Sequence, residues 1–308
     1  MHNTSVSATF QRQPIPRYGF EHISAIAPQL RLCTSIDTST LYADLAHSGA
    51  VIYRGFADSL ENFNDFVSAH SARITFDPAR KAATSNTAEI LAGHHEMGLH
   101  KENGNLPFSP DLQWFYCLNA ASTGSETTFC DGERVLFDLS PRTRRLFERR
   151  HVRYARRLPW HQVKHYLSLE LQIPIERIGD EHLHRVNEQV SGQTYRRIDD
   201  YLIASELVVS ALSLSGFSGR TSFCNSLLGP SINYEPPRIT WADGEDIGFD
   251  VWDEIREVTE RNTYSHFWHQ GDIVVIDNNR VMHGRRRLED RSRRIFGAQS
   301  YRIAEVGQ

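Results

Sequence analysis

The stretch GHHEMGLHKENG, residues 93–104, sets three histidines and two glutamates close together. It contains the triplet His-x-Glu twice, at His94/Glu96 and at His100/Glu102. Alternate residues of a strand share one face, so a histidine and a carboxylate two apart can hold one metal ion together. A third ligand must come from elsewhere, and His283, behind the apolar run GDIVVIDNNRVM, is the candidate. Two histidines and one carboxylate leave open positions that suit non-haem Fe(II) and oxygen chemistry. The same three ligands suit a zinc hydrolase. Residue types alone also leave room for a metal-free binding protein.

Such a site needs a scaffold that brings residue 100 beside residue 283. DTSTLYADLAHSGAVIYRGF (37–56) reads as a helix capped at Asp37, Ser39 or Thr40, closed by Gly49 and followed by a strand. SLENFNDFVSAHSA (59–72) has helical apolar spacing. DLQWFYCLNA (111–120), TSFCNSLL, GDIVVIDNNRVMHGRRRL (271–288) and RRIFGAQSYRI (293–303) read as strands, and DVWDEIREVTERN (250–262) as a helix. GSETTFCDGERVLFDL (124–139) reads as turn, strand and helix start. Residues 141–214, including DDYLIASELVVSALSL, read as a charged helical insert, and residues 1–20 as a loose arm. No internal repeat, βαβ alternation, GxGxxG or GxxxxGKS is present. The expectation is one catalytic domain over residues 1–308, mainly β with helices (α+β), as an antiparallel sandwich or barrel with helices outside.

Composition narrows the function classes. The formal charge of −4 over 308 residues lacks the basic excess that nucleic-acid binding requires. No apolar run is long enough to span a bilayer, and the first residues lack a signal-peptide pattern, so a cytoplasmic protein is expected. Cys33, Cys117, Cys130 and Cys224 form no CxxC pair and read as free thiols.

The run His100, Glu102 and WFYCLNAASTGSETTFCD resembles the taurine and 2,4-dichlorophenoxyacetate dioxygenase family. It is most similar to the clavaminate synthase-like, amino-acid hydroxylase branch. That branch shows HxE, an aromatic strand, a GGET turn and an aspartate. Counting from His100 puts Phe115-Tyr116-Cys117 and Thr127 in place, whereas counting from His94 puts them six residues out. His94, His95 and Glu96 then become neighbours of the site, as a lead-in loop or part of the substrate mouth. GDIVVIDNNRVMHGRRRLEDRSRRIFG resembles the family's second motif, in which an arginine follows the histidine by eleven to fourteen residues. SGAVIYRGF resembles its first strand, so the likeness runs from about residue 45 to residue 303.

The resemblance implies a double-stranded β-helix, or jelly roll, with the helical insert and flanking helices. It implies Fe(II) on His100, Glu102 and His283, with 2-oxoglutarate and O2 as cosubstrates. Arg294 would hold the far carboxylate of 2-oxoglutarate, with Arg293 and Arg291 as alternatives, and Thr127 would add a hydroxyl donor. Ser125 replaces the second glycine of the turn, which implies a slightly different turn type. The family's halogenating members lack the carboxylate ligand, so Glu102 disfavours halogenation.

The implied reaction converts 2-oxoglutarate to succinate and CO2 and hydroxylates an unactivated C–H bond of a small amino-acid-like or carboxylate metabolite, in natural-product biosynthesis. The substrate would be free or carrier-bound. Arg156 and Arg157 are candidates for its carboxylate, Asn225 for a further contact, and segment 225–244 for a lid. Desaturation, ring closure or epimerisation at the same iron remains open, as does homo-oligomer formation.

Overall fold

The computed structural model describes residues 10–26, 29–56, 58–75, 87–90, 93–230 and 235–304. The strand Ile273–Asp277, apolar from residue 273 to 276, is buried throughout, as a central strand must be. It lies between Ala50–Arg54 and Leu112–Asn119 in the larger sheet. Glu21–Ala25 and Phe10–Pro14 extend that sheet at one end. Arg294–Tyr301, Arg73–Thr75 and Ala88–Glu89 extend it at the other. The smaller sheet has the order Thr263–His266, Thr127–Asp131, Val281–Arg285, Met97–His100.

Strand alternation divides the packing into two layers. Phe115 and Cys117 face inward, where Phe129, Trp268, Val274, Val281 and Ile295 close the space between the sheets. Trp114 and Tyr116 face outward against Leu41, Leu45, Phe63 and Phe66 of the helices Thr38–Ser48 and Leu60–Ala69. Asp37 caps the first of these helices, accepting from the Thr40 N–H, and Gly49 closes it at φ 74°. This is the jelly roll with flanking helices that the motif order implied.

Three expectations change. The insert holds the helices Pro141–Arg149, Trp160–Leu171 and Asp180–Gln189, but it is not all helical. A separate antiparallel sheet runs Gln193–Arg197, Leu202–Val209, Val152–Pro159, Arg238–Trp241. Within Leu202–Val209, Ile203, Ser205 and Leu207 alternate as buried residues. Its apolar run fits either element by composition, and sheet pairing overrides the helix propensity of its leucines and alanine. Residues 1–20 are not wholly a loose arm, because Phe10–Pro14 pairs with Glu21–Ala25; residues 1–9 lie outside the described residues. In segment 225–244, Arg238–Trp241 is a strand of the insert sheet, and residues 231–234 lie outside the described residues. All four cysteines are free thiols. Among the described residues, no helix is long and apolar enough to cross a membrane.

Candidate metal centre and cosubstrate pocket

Strands Met97–His100 and Val281–Arg285 run antiparallel with His100 opposite His283. The two imidazole centroids lie 4.3 Å apart. Glu102 Oε2 is 3.3 Å from His283 Nε2. One donor atom from each of the three residues lies within 4.8 Å of the others, and all three side chains are buried. Two imidazoles and a carboxylate meeting with this spacing fit a single divalent cation. His100 Nδ1 lies 2.9 Å from the Gly98 carbonyl, a contact that fixes the ring and leaves Nε2 for the metal.

Glu102 is not on the strand. His100 ends it, Lys101 turns away, and Glu102 opens a turn in which Asn103 has φ 55°. Lys101 Nζ donates to Asn279 Oδ1 at 2.7 Å and to Ser213 Oγ at 3.1 Å. Asn278 ties the turn down. Its Oδ1 accepts from the Glu102 N–H at 2.8 Å, and its Nδ2 donates to the carbonyls of Glu102 at 3.1 Å and Pro110 at 2.8 Å. Glu102 thus reaches His100 and His283 from a turn held by a side-chain clamp, and not through the strand alternation expected from the His-x-Glu spacing. Nothing in the DNN sequence announces that clamp beyond its turn-forming residue types.

Beside His283 a pocket is lined by Ile90, Met97, Phe115, Thr127, Gly284, Arg285 and Arg293. Arg293 Nη2 donates to Thr127 Oγ1 at 2.8 Å. Among the described residues no carboxylate pairs with Arg293. Burial, then the nearby Arg285 guanidinium, lowers its pKa to about 10. A largely buried guanidinium with no carboxylate partner among the described residues favours an incoming anion.

Arg294 takes the opposite direction. It is exposed and pairs with Glu89, its Nε 2.8 Å from Oε1, and lies 5.5 Å from the Phe296 ring. The arginine expected to hold the far carboxylate of 2-oxoglutarate thus lies outside this pocket, and its neighbour Arg293, one of the two alternatives, lines it. Arg293 shares the inner side with Ile295, and Arg294 shares the outer side with Phe296.

A model of the taurine catabolism dioxygenase TauD, TfdA family matches residues 13–299. The chain belongs to this family. It is an oxygenase dependent on Fe and 2-oxoglutarate. The TauD/TfdA chain is 25% identical over 269 residues to the dapdiamide synthesis protein DdaC of Enterobacter agglomerans, covering 80% of each chain. It is 25% identical over 208 residues to the 3-((Z)-2-isocyanoethenyl)-1H-indole synthase of Fischerella ambigua, covering 62% of this chain and 61% of that one. Its fold matches PvcB of Pseudomonas aeruginosa with TM-score 0.63 at 15% identity, over 98% of this chain and 95% of that one.

The GSET turn of this TauD/TfdA chain keeps a left-handed geometry. Gly124 has φ 56° and Ser125 has φ 63°. Ser125 accepts the strain of that region, and its Oγ accepts from the N–H groups of Glu289 at 2.9 Å and Asp290 at 3.3 Å. The serine thus ties the loop leading to Arg293 onto the turn leading to Thr127.

The expected substrate contacts separate. Arg156 is buried on the inner face of the insert sheet, with Nη2 3.4 Å from the Asn105 carbonyl and 3.5 Å from its Oδ1. Arg157, the next residue, points outward and pairs with Glu235 at 3.2 Å. The two cannot clamp one carboxylate, because neighbours on a strand face opposite sides. Asn225 is buried with its amide committed to backbone: Nδ2 donates to the Ala211 carbonyl at 3.0 Å and Oδ1 accepts from the Leu227 N–H at 3.1 Å. Its carbonyl accepts from the Lys101 N–H at 2.8 Å, so it braces the ligand strand. His94, His95 and Glu96 lie in a loop held by Arg285, whose Nη2 donates to the His95 carbonyl at 2.8 Å.

Proposed function

We propose that this oxygenase hydroxylates an unactivated C–H bond of a small amino-acid-like or carboxylate metabolite in natural-product biosynthesis. One arrangement carries the reading: the His100–Glu102–His283 cluster adjoins a pocket whose wall holds Arg293 and Thr127. His100, Glu102 and His283 would hold Fe(II), which, with 2-oxoglutarate and O2, supplies the oxidising power for hydrogen-atom removal. Arg293 and the Thr127 hydroxyl would bind the far carboxylate of 2-oxoglutarate, in place of the expected Arg294. Ile90, Met97 and Phe115 would cover its methylene carbons and exclude water.

Arg156 is the candidate for a substrate carboxylate, since it is a buried cation beside the loop carrying Glu102. The dapdiamide and isocyanoethenyl-indole relatives support a biosynthetic role. The ethenyl group in the second relative's name favours desaturation as the second reading, since both outcomes begin with hydrogen abstraction.

The test is a screen of free amino acids and related carboxylates for substrate-stimulated succinate release, with product masses read in parallel. A gain of one oxygen supports hydroxylation, and a loss of two hydrogens supports desaturation. Succinate release that no amino-acid-like or carboxylate compound stimulates would overturn the substrate class.

A further inference from the structure

Trp268 is buried, and its indole Nε1–H donates to Thr127 Oγ1 at 2.9 Å. Arg293 Nη2 donates to the same oxygen at 2.8 Å. A hydroxyl has two acceptor lone pairs and one proton. Both lone pairs of Thr127 are therefore engaged, and its proton must leave in a third direction. Thr127 lines the pocket together with His283 and Arg293. The indole itself is fixed, with the His266 ring edge-on at 4.6 Å and the Phe115 ring at 6.3 Å.

We infer that Trp268 is a positioning and specificity residue: it compels the Thr127 hydroxyl to act as a donor and so makes the far end of the cosubstrate pocket select a carboxylate. With Arg293 beside it, that end presents donors. A keto acid ending in a carboxylate satisfies them. One ending in an amide brings its own N–H groups against them, and one ending in a methyl leaves them unpaired; buried unpaired donors are costly. The inference rests on the cosubstrate placement proposed above.

The experiment is anaerobic titration of the Fe(II)-loaded protein with three keto acids, followed by the visible charge-transfer band of the chelate. The probes are 2-oxoglutarate, its C5 amide, and 2-oxopentanoate, which lacks the far carboxylate. Trp268→Phe keeps an aromatic ring, though a smaller one, and removes the N–H. It is expected to weaken 2-oxoglutarate about five- to tenfold. Binding of 2-oxopentanoate is expected to stay within about twofold. The preference for acid over amide narrows, because the released hydroxyl can turn and accept. In Thr127→Val the same tryptophan change has no further effect. Equal weakening of 2-oxoglutarate and 2-oxopentanoate would reduce Trp268 to packing and overturn the inference. So would unchanged 2-oxoglutarate binding in Trp268→Phe. An Arg293→Ala protein that binds 2-oxoglutarate normally would instead overturn the placement of the cosubstrate, and the inference with it. Arg293 dependence without Trp268 dependence would sink this inference alone.

Discussion

Asn278 grips Glu102 by both its backbone groups, accepting from the N–H at 2.8 Å and donating to the C=O at 3.1 Å. The amide therefore replaces the strand pairing that ended at His100. It sets where the Glu102 carboxylate sits without itself joining the His100–Glu102–His283 cluster. Asn278→Ala is expected to lower Fe(II) affinity about 10- to 100-fold, as loss of an orienting partner typically does. Metal titration against a chelator reads this directly. Unchanged affinity would mean that the Glu102 turn holds itself.

Gly98 is required by close approach. A Cβ there would stand 2.1 Å from the Leu228 carbonyl oxygen, and the Gly98 carbonyl contacts His100 Nδ1. Gly98→Ala must push the strand away from residue 228. A stability loss of about 1–3 kcal/mol is expected, with weaker metal binding because His100 moves with its strand. Chemical denaturation and metal titration check the two halves.

The two neighbouring arginines should behave differently. Arg293→Ala is expected to weaken 2-oxoglutarate about 10- to 100-fold, the scale of a lost charged pair in a water-poor pocket. Arg294→Ala removes only an exposed pair with Glu89 and is expected to change stability by no more than about 0.5 kcal/mol. Its 2-oxoglutarate affinity stays at the wild-type value. Apparent KM values for the cosubstrate give the comparison.

Acid should loosen the contact between Glu21–Ala25 of the larger sheet and Thr263–His266 of the smaller one, where the His22 and His266 ring centroids lie 6.1 Å apart. Burial, with Arg54 and His266 nearby, lowers the His22 pKa from 6.5 to about 4, and burial also lowers that of His266. The unfolded chain binds these protons more readily than the folded one. Their stability is therefore present above pH 6.5 and is lost as pH falls toward 4. His22→Gln is expected to flatten the decline in melting temperature between those limits. An equally steep decline in the variant would assign the acid sensitivity elsewhere.

The clustering of His100, Glu102 and His283 was legible because the family resemblance named these three residues, and the structure brings their side chains together. Thr127, named by the same resemblance, lines the pocket. Which arginine joins it was not legible beyond the set Arg291, Arg293 and Arg294, because a run of arginines offers several answers and the strand register shifts between Arg294 and Ile295. Only the inward face of Ile295 decides between them. The insert sheet was hidden because Leu202–Val209 joins leucine and alanine, good helix formers, to an alternation visible only once one face is buried. Clamps such as Asn278 on Glu102 and Trp268 on Thr127 join residues more than a hundred apart, and no local pattern encodes them.

The central claim is that His100, not His94, carries the metal with Glu102 and His283, beside a pocket for 2-oxoglutarate. The most direct measurement is anaerobic addition of Fe(II) and 2-oxoglutarate to the wild type, His94→Ala and His100→Ala, reading the visible charge-transfer band. The band is expected in wild type and His94→Ala and absent in His100→Ala. A band that survives in His100→Ala, or disappears in His94→Ala, would contradict the assignment.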